Sequence, residues 1–208
     1  MPGSGAAIVT DAFPIDVRAA DPSLVEARHL VDELWEELGV LYGDMGLCKF
    51  QPSDIQGPGA AFVIARFDGR AVGCGAVRAY DSSARKIGEI KRMFVRPAAR
   101  GRGIARTILK TLEETALTIG YDVVRLESGV RQPFAIKLYE TAGYYRIPPY
   151  GQLADDPLSI FSKSGCALIH KRKITSADSG AFSFLSPSLR YPEQGRQIMR
   201  DWRRRFLD

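Results

Sequence analysis

From Arg100 to Arg106 the chain reads Arg-Gly-Arg-Gly-Ile-Ala-Arg, three arginines and two glycines in seven positions, and then runs directly into helix-forming sequence. A helix start leaves about four backbone N–H groups without intrahelical partners, and the helix dipole places roughly half a positive charge there. Phosphate-like anions suit that arrangement. Gly101 and Gly103 let backbone approach an anion where a Cβ would intrude, and Arg100, Arg102 and Arg106 supply charge-assisted contacts. A solvated basic turn would carry the same residues, so this stretch alone leaves both readings open. Two common phosphate motifs do not fit. A dinucleotide fingerprint needs glycine where Arg106 stands, and no Gly-Lys-Ser/Thr of a P-loop occurs.

The elements that must position this loop can be read from periodicity. Residues 13–20 form a short strand. The stretch 21–43 opens with Asp21-Pro22 and repeats apolar residues at Leu24, Ala27, Val31, Leu34, Leu38 and Leu41, the spacing of an amphipathic helix. Residues 44–59 lack periodicity and form a loop with room for one helical turn. Two β-rich runs then flank Asp68-Gly69, a hairpin signal. A strand over 88–95 ends at Pro97. The helix from Gly103 carries Ala105, Ile108, Leu109, Leu112, Ala116 and Ile119 on one face and stops at Gly120. A strand over 122–128, a helix over about 132–142 and closing strands at 144–147 and 167–174 follow, with 144–160 otherwise a loop. The order β-α-ββ-β-α-β-α-β-β predicts an α/β (α+β) layer architecture around one sheet.

Composition bounds the rest. The chain has 208 residues, 45% of them hydrophobic, enough for an ordinary packed core. No apolar run approaches the roughly eighteen residues of a membrane span, and the start lacks the basic-then-apolar pattern of a secretory signal; a cytoplasmic protein with no membrane partner is expected. Cys48, Cys74 and Cys166 are odd in number and unrelated in spacing, which points to a reducing compartment rather than a disulfide framework. With His29 and His170 the only histidines and no Cys-x-x-Cys pair, no metal site is expected. The net charge is +5, of which residues 190–208 hold +3 from six arginines and three acids. The basic balance is thus mainly a property of the tail, and a nucleic-acid partner is not favoured. Three regions result: a disordered segment 1–12, a folded domain 13–174, and an extension 175–208 with a Ser-rich linker and a basic amphipathic helix near 193–206. Met199, Trp202 and Phe206 share one face of that helix, which would dock on the domain or on a second copy in a homodimer.

The stretch Arg100-Gly101-Arg102-Gly103-Ile104-Ala105 resembles the acetyl-CoA loop Arg/Gln-x-x-Gly-x-Gly/Ala of the GNAT superfamily of N-acetyltransferases, preceded here by Val95 and Pro97. A second block of that family, A-x-x-L-Y-E-x-x-G-[FY], is matched by Ala135 to Tyr144. The resemblance covers roughly residues 13–174 and implies a GNAT-like domain, a mixed and mostly antiparallel sheet flanked by helices, with acetyl-CoA as co-substrate. It implies that Met93, Phe94 and Val95 pair strand backbone with the pantetheine arm beside a bulge that splays two strands. It further implies that Arg100 to Arg106 bind the pyrophosphate and that Tyr139 protonates the departing thiolate, and it places Glu127 where some members carry a glutamate base. Gln132 stands where many members carry an asparagine that touches the cofactor.

The implied chemistry is direct transfer of an acetyl group to an amine. An amine resembling lysine titrates at about 10.4 and is largely protonated at neutral pH, so a base must remove a proton before attack. Backbone N–H groups of the splayed strand would stabilise negative charge developing on the carbonyl oxygen. Glu89 is the rival base; otherwise it is a strand-face partner for Lys91 or Arg92. Lys91 and Arg92 could also hold a substrate carboxylate, favouring amino-acid-like acceptors. Pro148, Pro149, Tyr145, Tyr150, Asp155 and Asp156 make the 144–160 loop either an acceptor-site wall that attracts a cationic amine or a rigid connection with solvated acids. Cys74 reads as strand packing and His29 as helix surface. The expected acceptor is a small-molecule amine or an amino acid; the alternatives are a protein or peptide amine, or a CoA-binding regulatory module without chemistry.

Overall fold

The structure, a computed structural model, describes residues 15–43, 52–80 and 86–164. The expected segment 1–12, the strand expected at 167–174, the 175–208 extension, Cys48, Cys166 and His170 lie outside the described residues. Within them the order is β1 (Asp16–Ala19), α1 (Val25–Tyr42), β2 (Ala61–Phe67), β3 (Arg70–Ala79), β4 (Ile87–Val95), α2 (Ile104–Ile119), β5 (Val123–Gly129), α3 (Pro133–Thr141), β6 (Tyr144–Arg146) and β7 (Ser159–Ser164), with short 3-10 turns at Pro52–Ile55, Pro97–Ala99 and Gly151–Leu153. One mixed, mostly antiparallel sheet runs in the order β1-β2-β3-β4-β5-β7-β6. Its single parallel pairing joins β4 to β5.

Local chemistry accounts for most of these boundaries. Asp68 and Gly69 both take positive φ between the paired residues Phe67 and Arg70, as a tight hairpin turn requires. Gly120 ends α2 in the left-handed conformation, its N–H closing on Ala116 and Leu117. Helix α1 begins at Val25, one residue after Leu24, so Leu24 is exposed and Leu30 takes a place in the buried stripe with Ala27, Val31 and Leu34.

One strand was not expected. β7 occupies Ser159–Ser164, starting in the last two residues of the expected 144–160 loop, and it gave no signal because its apolar residues Ile160 and Phe161 are adjacent rather than alternating and its other positions are polar. Ser162 and Ser164 are nonetheless buried, and the Ser164 hydroxyl accepts a hydrogen bond from Val124 N at 3.2 Å.

Two apolar layers sandwich the sheet. On one face α2 and α3 pack Ile104, Ile108, Leu109, Leu112, Ala116 and Tyr139 against Val63, Val77, Ile90, Val124 and Leu126. On the other, α1 packs Ala27, Leu30, Val31 and Leu34 against Phe62, Ile64, Cys74, Ala76 and Phe94. Ion pairs from α1 tie it across that face: Glu26 to Arg66, Glu33 to Arg96 and Glu37 to Arg100. All are partly exposed, so each is worth about 1 kcal/mol at most. Among the described residues no helix is long and apolar enough to cross a membrane.

In the middle of the sheet Ala76 pairs with Lys91 and Cys74 with Phe94, so Gly75 alone opposes both Arg92 and Met93. That is a β-bulge, and it puts Lys91 and Phe94 on the same face although they are three residues apart. Arg92 takes φ +57 there, a left-handed conformation that costs about 1–2 kcal/mol for a residue with a side chain. Its guanidinium lies 4.6 Å from the Trp35 ring centre on α1, and its carbonyl accepts from the Cys74 thiol at 3.4 Å. Burial pushes the Cys74 thiol up to about 12. Cys74 is therefore packing, as the sequence suggested, and the thiolate needed for reaction is scarce. Iodoacetamide at pH 8 should leave Cys74 unlabelled in the native protein and label it after denaturation, read by peptide mass spectrometry; rapid native labelling would contradict this packing.

Candidate active site

The bulge has a direct consequence for β5. The two parallel strands stay in register from Ile87 opposite Val123 to Ile90 opposite Leu126, and there pairing ends. β4 nevertheless continues to Val95 and β5 to Gly129. A gap thus opens in the centre of the sheet, edged by backbone N–H and C=O groups with no ladder partner across it. Met93, Phe94 and Val95 form one edge. Met93 is packed on the α2–α3 side, Phe94 is buried on the α1 side, and Val95 returns to the α2–α3 side.

At the wide end of the gap β4 leads through Pro97–Ala99 into the basic loop. Gly101 and Gly103 take φ +78 and +81, and an added Cβ at either would meet nothing within 4 Å. Gly103 is the N-cap of α2, no side chain caps the helix, and the first intrahelical bond runs from Thr107 N to Gly103 O. The N–H groups of Ile104, Ala105 and Arg106 therefore lie ahead of the ladder, as at any helix start. The arginines divide their tasks. Arg100 donates through Nε to Val95 O at 2.8 Å and pairs with Glu37, so it braces the loop against α1. Arg102 stacks 5.1 Å from the Phe67 ring centre, and Arg106 reaches Thr141 on α3 at 3.4 Å. An open glycine cradle at an uncapped helix start, with cations on its rim, fits a pyrophosphate.

Across the gap two groups approach from opposite faces. Tyr139 comes from α3, buried on the α2–α3 side, its hydroxyl donating to Met93 Sδ at 3.6 Å. Burial, and secondarily the Glu127 charge, raise its pKa well above the usual tyrosine range. Glu127 lies on β5 between Leu126 and Ser128 and so points to the α1 face. Its Oε1 is 3.0 Å from the Ser159 hydroxyl, which is also 3.0 Å from Asp156 Oδ2. A hydroxyl has one hydrogen, so Ser159 donates to one carboxylate at a time and holds the two close together. Above them Tyr42, at the end of α1, accepts from Arg131 N at 2.9 Å and packs so tightly on Gly129 that a Cβ there would lie 1.9 Å from its hydroxyl. Burial first, with Glu127 and Asp156 adding to it, raises the Tyr42 phenol.

The remaining expected residues fall as follows. Glu89 is buried on the α1 face and held by Arg78 at 3.0 Å and Lys91 at 3.1 Å, the strand-face pairing considered for it. Gln132 stands at the N-cap position of α3 without capping it; its side-chain oxygen instead accepts from Gly129 N at 3.0 Å, so it shapes the turn at the end of β5. Asp156 also accepts from Leu158 N, which makes the 144–160 loop ordered around this acid. Tyr42 and Ser159 escaped the sequence reading. Tyr42 ends a helix with nothing local to mark it, and Ser159 opens a strand that the sequence does not signal.

A family model for the acetyltransferase (GNAT) family matches residues 27–144. The chain is 39% identical over 132 residues to the IAA acetyltransferase of Azospirillum brasilense, covering 64% of this chain and 85% of that protein. It is 33% identical over 109 residues to the uncharacterized N-acetyltransferase YsnE of Bacillus subtilis, covering 51% and 70%. A solved candidate acyl-CoA N-acyltransferase from Klebsiella pneumoniae superposes with TM-score 0.58 at 29% identity, over 72% of this chain and 96% of that one. A GNAT family acetyltransferase from Elizabethkingia anophelis, solved with acetyl-CoA bound, shares the fold at TM-score 0.51 and 14% identity, over 72% and 97%. With a splayed β4–β5 pair, a glycine cradle at the α2 start and these matches, the chain belongs to the GNAT family and is an acetyl-CoA-dependent N-acetyltransferase.

Proposed function

We propose that the protein transfers an acetyl group from acetyl-CoA to the primary amine of a small molecule or amino acid, with Glu127 as base and Tyr139 as acid. The observation that carries this reading is their placement on opposite sides of one gap in the sheet. Acetyl-CoA supplies an acetyl thioester as the electrophile. The basic loop from Arg100 to Arg106 takes its pyrophosphate, chiefly through backbone N–H groups around Gly101 and Gly103, and the free edge of Met93–Val95 pairs with the pantetheine arm. On the α1 face Glu127, oriented by Ser159, accepts the proton that the ammonium must lose. On the α3 face the Tyr139 hydroxyl donates to the leaving thiolate. Its raised pKa keeps that proton in place through the alkaline range, above the usual value of about 10. No side-chain nucleophile is needed.

Two features favour Glu127 over Glu89, and a small acceptor over a protein. Glu89 is already neutralised by two cations, whereas Glu127 faces the gap with a hydroxyl and a second acid beside it. The loop that follows β6 packs Tyr150 edge-on against Tyr80 at 5.0 Å and Phe161 at 4.9 Å, covering that end of the α1 face. Asp156 beside Glu127 adds the negative charge that would attract an ammonium.

Gly103→Ala and Gly103→Glu separate conformation from charge. Both strain a position at φ +81, but only glutamate adds a negative charge at the pyrophosphate cradle. Calorimetric titration should show acetyl-CoA affinity falling by about a hundredfold or more from Ala to Glu, since like charges a few ångströms apart repel by several kcal/mol near a surface. Equal affinity in the two folded variants would remove the phosphate from this loop.

Tyr139→Phe keeps the ring packing and should lower turnover about 10²–10⁴-fold, the range for one acid–base group, with little change in acetyl-CoA affinity. Glu127→Gln should flatten the acidic limb of the rate–pH profile while the residual rate climbs with pH. The Tyr139 shift also means that any alkaline limb below about pH 10 in the wild type must survive in Tyr139→Phe. An intact acidic limb in Glu127→Gln, together with its loss in Glu89→Gln, would move the base to Glu89.

A further inference from the structure

Arg125 stands two residues before Glu127 on β5, so both side chains lie on the α1 face. Its guanidinium carbon is 5.2 Å from the ring centres of both Tyr80 and Tyr150. Unlike its neighbours it has no ion pair among the described residues. The nearest strand-face acid is Glu89, its register partner on β4, which is taken by Arg78 and Lys91. Arg125 Nε is buried with no hydrogen-bond acceptor, and so is the hydroxyl of Tyr150, whose ring the guanidinium lies against. Two neighbouring buried donors without acceptors, one of them cationic, form a site short of one anion. Lys91 and Arg92, the other candidates for a substrate carboxylate, each already have a partner on this face. Lys91 is engaged by Glu89, and Arg92 lies over Trp35 at the bulge.

We propose that the acceptor carries a carboxylate within a few bonds of its amine, that Arg125 and Tyr150 receive this carboxylate, and that the amine sits at Glu127. This rests on the acetyl-transfer reading and narrows its acceptor to amino acids. The spacing suits that class, because positions two apart on a strand are separated by about 6.6 Å. Guanidinium edges bind carboxylates in a planar, two-pronged geometry, and aromatic rings hold the guanidinium in place without competing for its protons. The same residues reject plain amines, since an acceptor without an anion leaves both donors unsatisfied.

The test uses pairs of compounds, each an amino acid and the amine left when its carboxylate is removed. Each pair is assayed for CoA-thiol release and, separately, for thermal stabilisation of the acetyl-CoA-saturated protein. The wild type should favour the amino acid at least tenfold in kcat/KM and stabilise more with it in the titration. Arg125→Gln should collapse that ratio by tenfold or more, through KM. Arg125→Lys, which keeps the charge and covers a failure of Arg125→Gln to fold, and Tyr150→Phe, which keeps the ring, should each lower it partway. Equal treatment of both members by the wild type would overturn the proposal. So would Arg125 variants that depress both members alike, the mark of a merely structural role. Thiol release with no compound at all would overturn acetyl transfer itself; the carboxylate site is then judged on the titration, where equal stabilisation by both members overturns it.

Discussion

Everything at the site depends on the point where β4 and β5 stop pairing. A parallel pair in mid-sheet ordinarily runs to the strand ends, because each unpaired N–H or C=O in a protein interior is expensive. Here pairing ends after Ile90 and Leu126 although both strands continue. The bulge opposite Gly75 bends β4 away, and the left-handed Arg92 that it requires is steadied by Trp35 on one side and the Cys74 thiol on the other. Strain held by surrounding packing is a common property of functional backbone. Gly75 belongs to the same device, since an added Cβ would lie 2.8 Å from Ile108 and 2.9 Å from Leu112 of α2. The helix that presents the glycine cradle is thus seated directly against the bulge.

The gap separates two environments that the chemistry needs to differ. On the α2–α3 side Tyr139 is packed among apolar residues, and loss of water raises its pKa, which keeps a neutral hydroxyl. On the α1 side acids and cations lie along the strands, with Glu127 and Asp156 joined through one serine and Glu89 fixed between two cations. A proton acceptor and a proton donor placed a sheet thickness apart need not neutralise each other.

The fold was largely legible because its signals are local. The hairpin at Asp68-Gly69, the stop at Gly120, and the two motifs at Arg100–Ala105 and Ala135–Tyr144 each state their geometry within a few residues. β7 was not legible, since its buried serines are stabilised by partners such as Val124 N, some forty residues away in the chain. The site divides in the same way. Glycine φ values follow from residue type, but Arg100 turning to Glu37, Ser159 reaching Glu127 and Tyr42 settling on Gly129 are tertiary contacts with no local trace. Arg125 shows the limit best. In sequence it is one more polar residue on a strand, and only the pairing of Glu89 with Arg78 and Lys91, together with its own unpartnered Nε, marks it as unmatched.

The central claim is that the free edge of β4 is where the co-substrate's pantetheine arm pairs with backbone, and hydrogen exchange with residue resolution tests it most directly. Amides of Met93, Phe94 and Val95 that face the gap should exchange quickly in the free protein and become protected on adding acetyl-CoA, together with those of Gly101 to Arg106, while the α1 amides stay unchanged. Protection confined to the basic loop, with the β4 edge unaltered, would contradict the account.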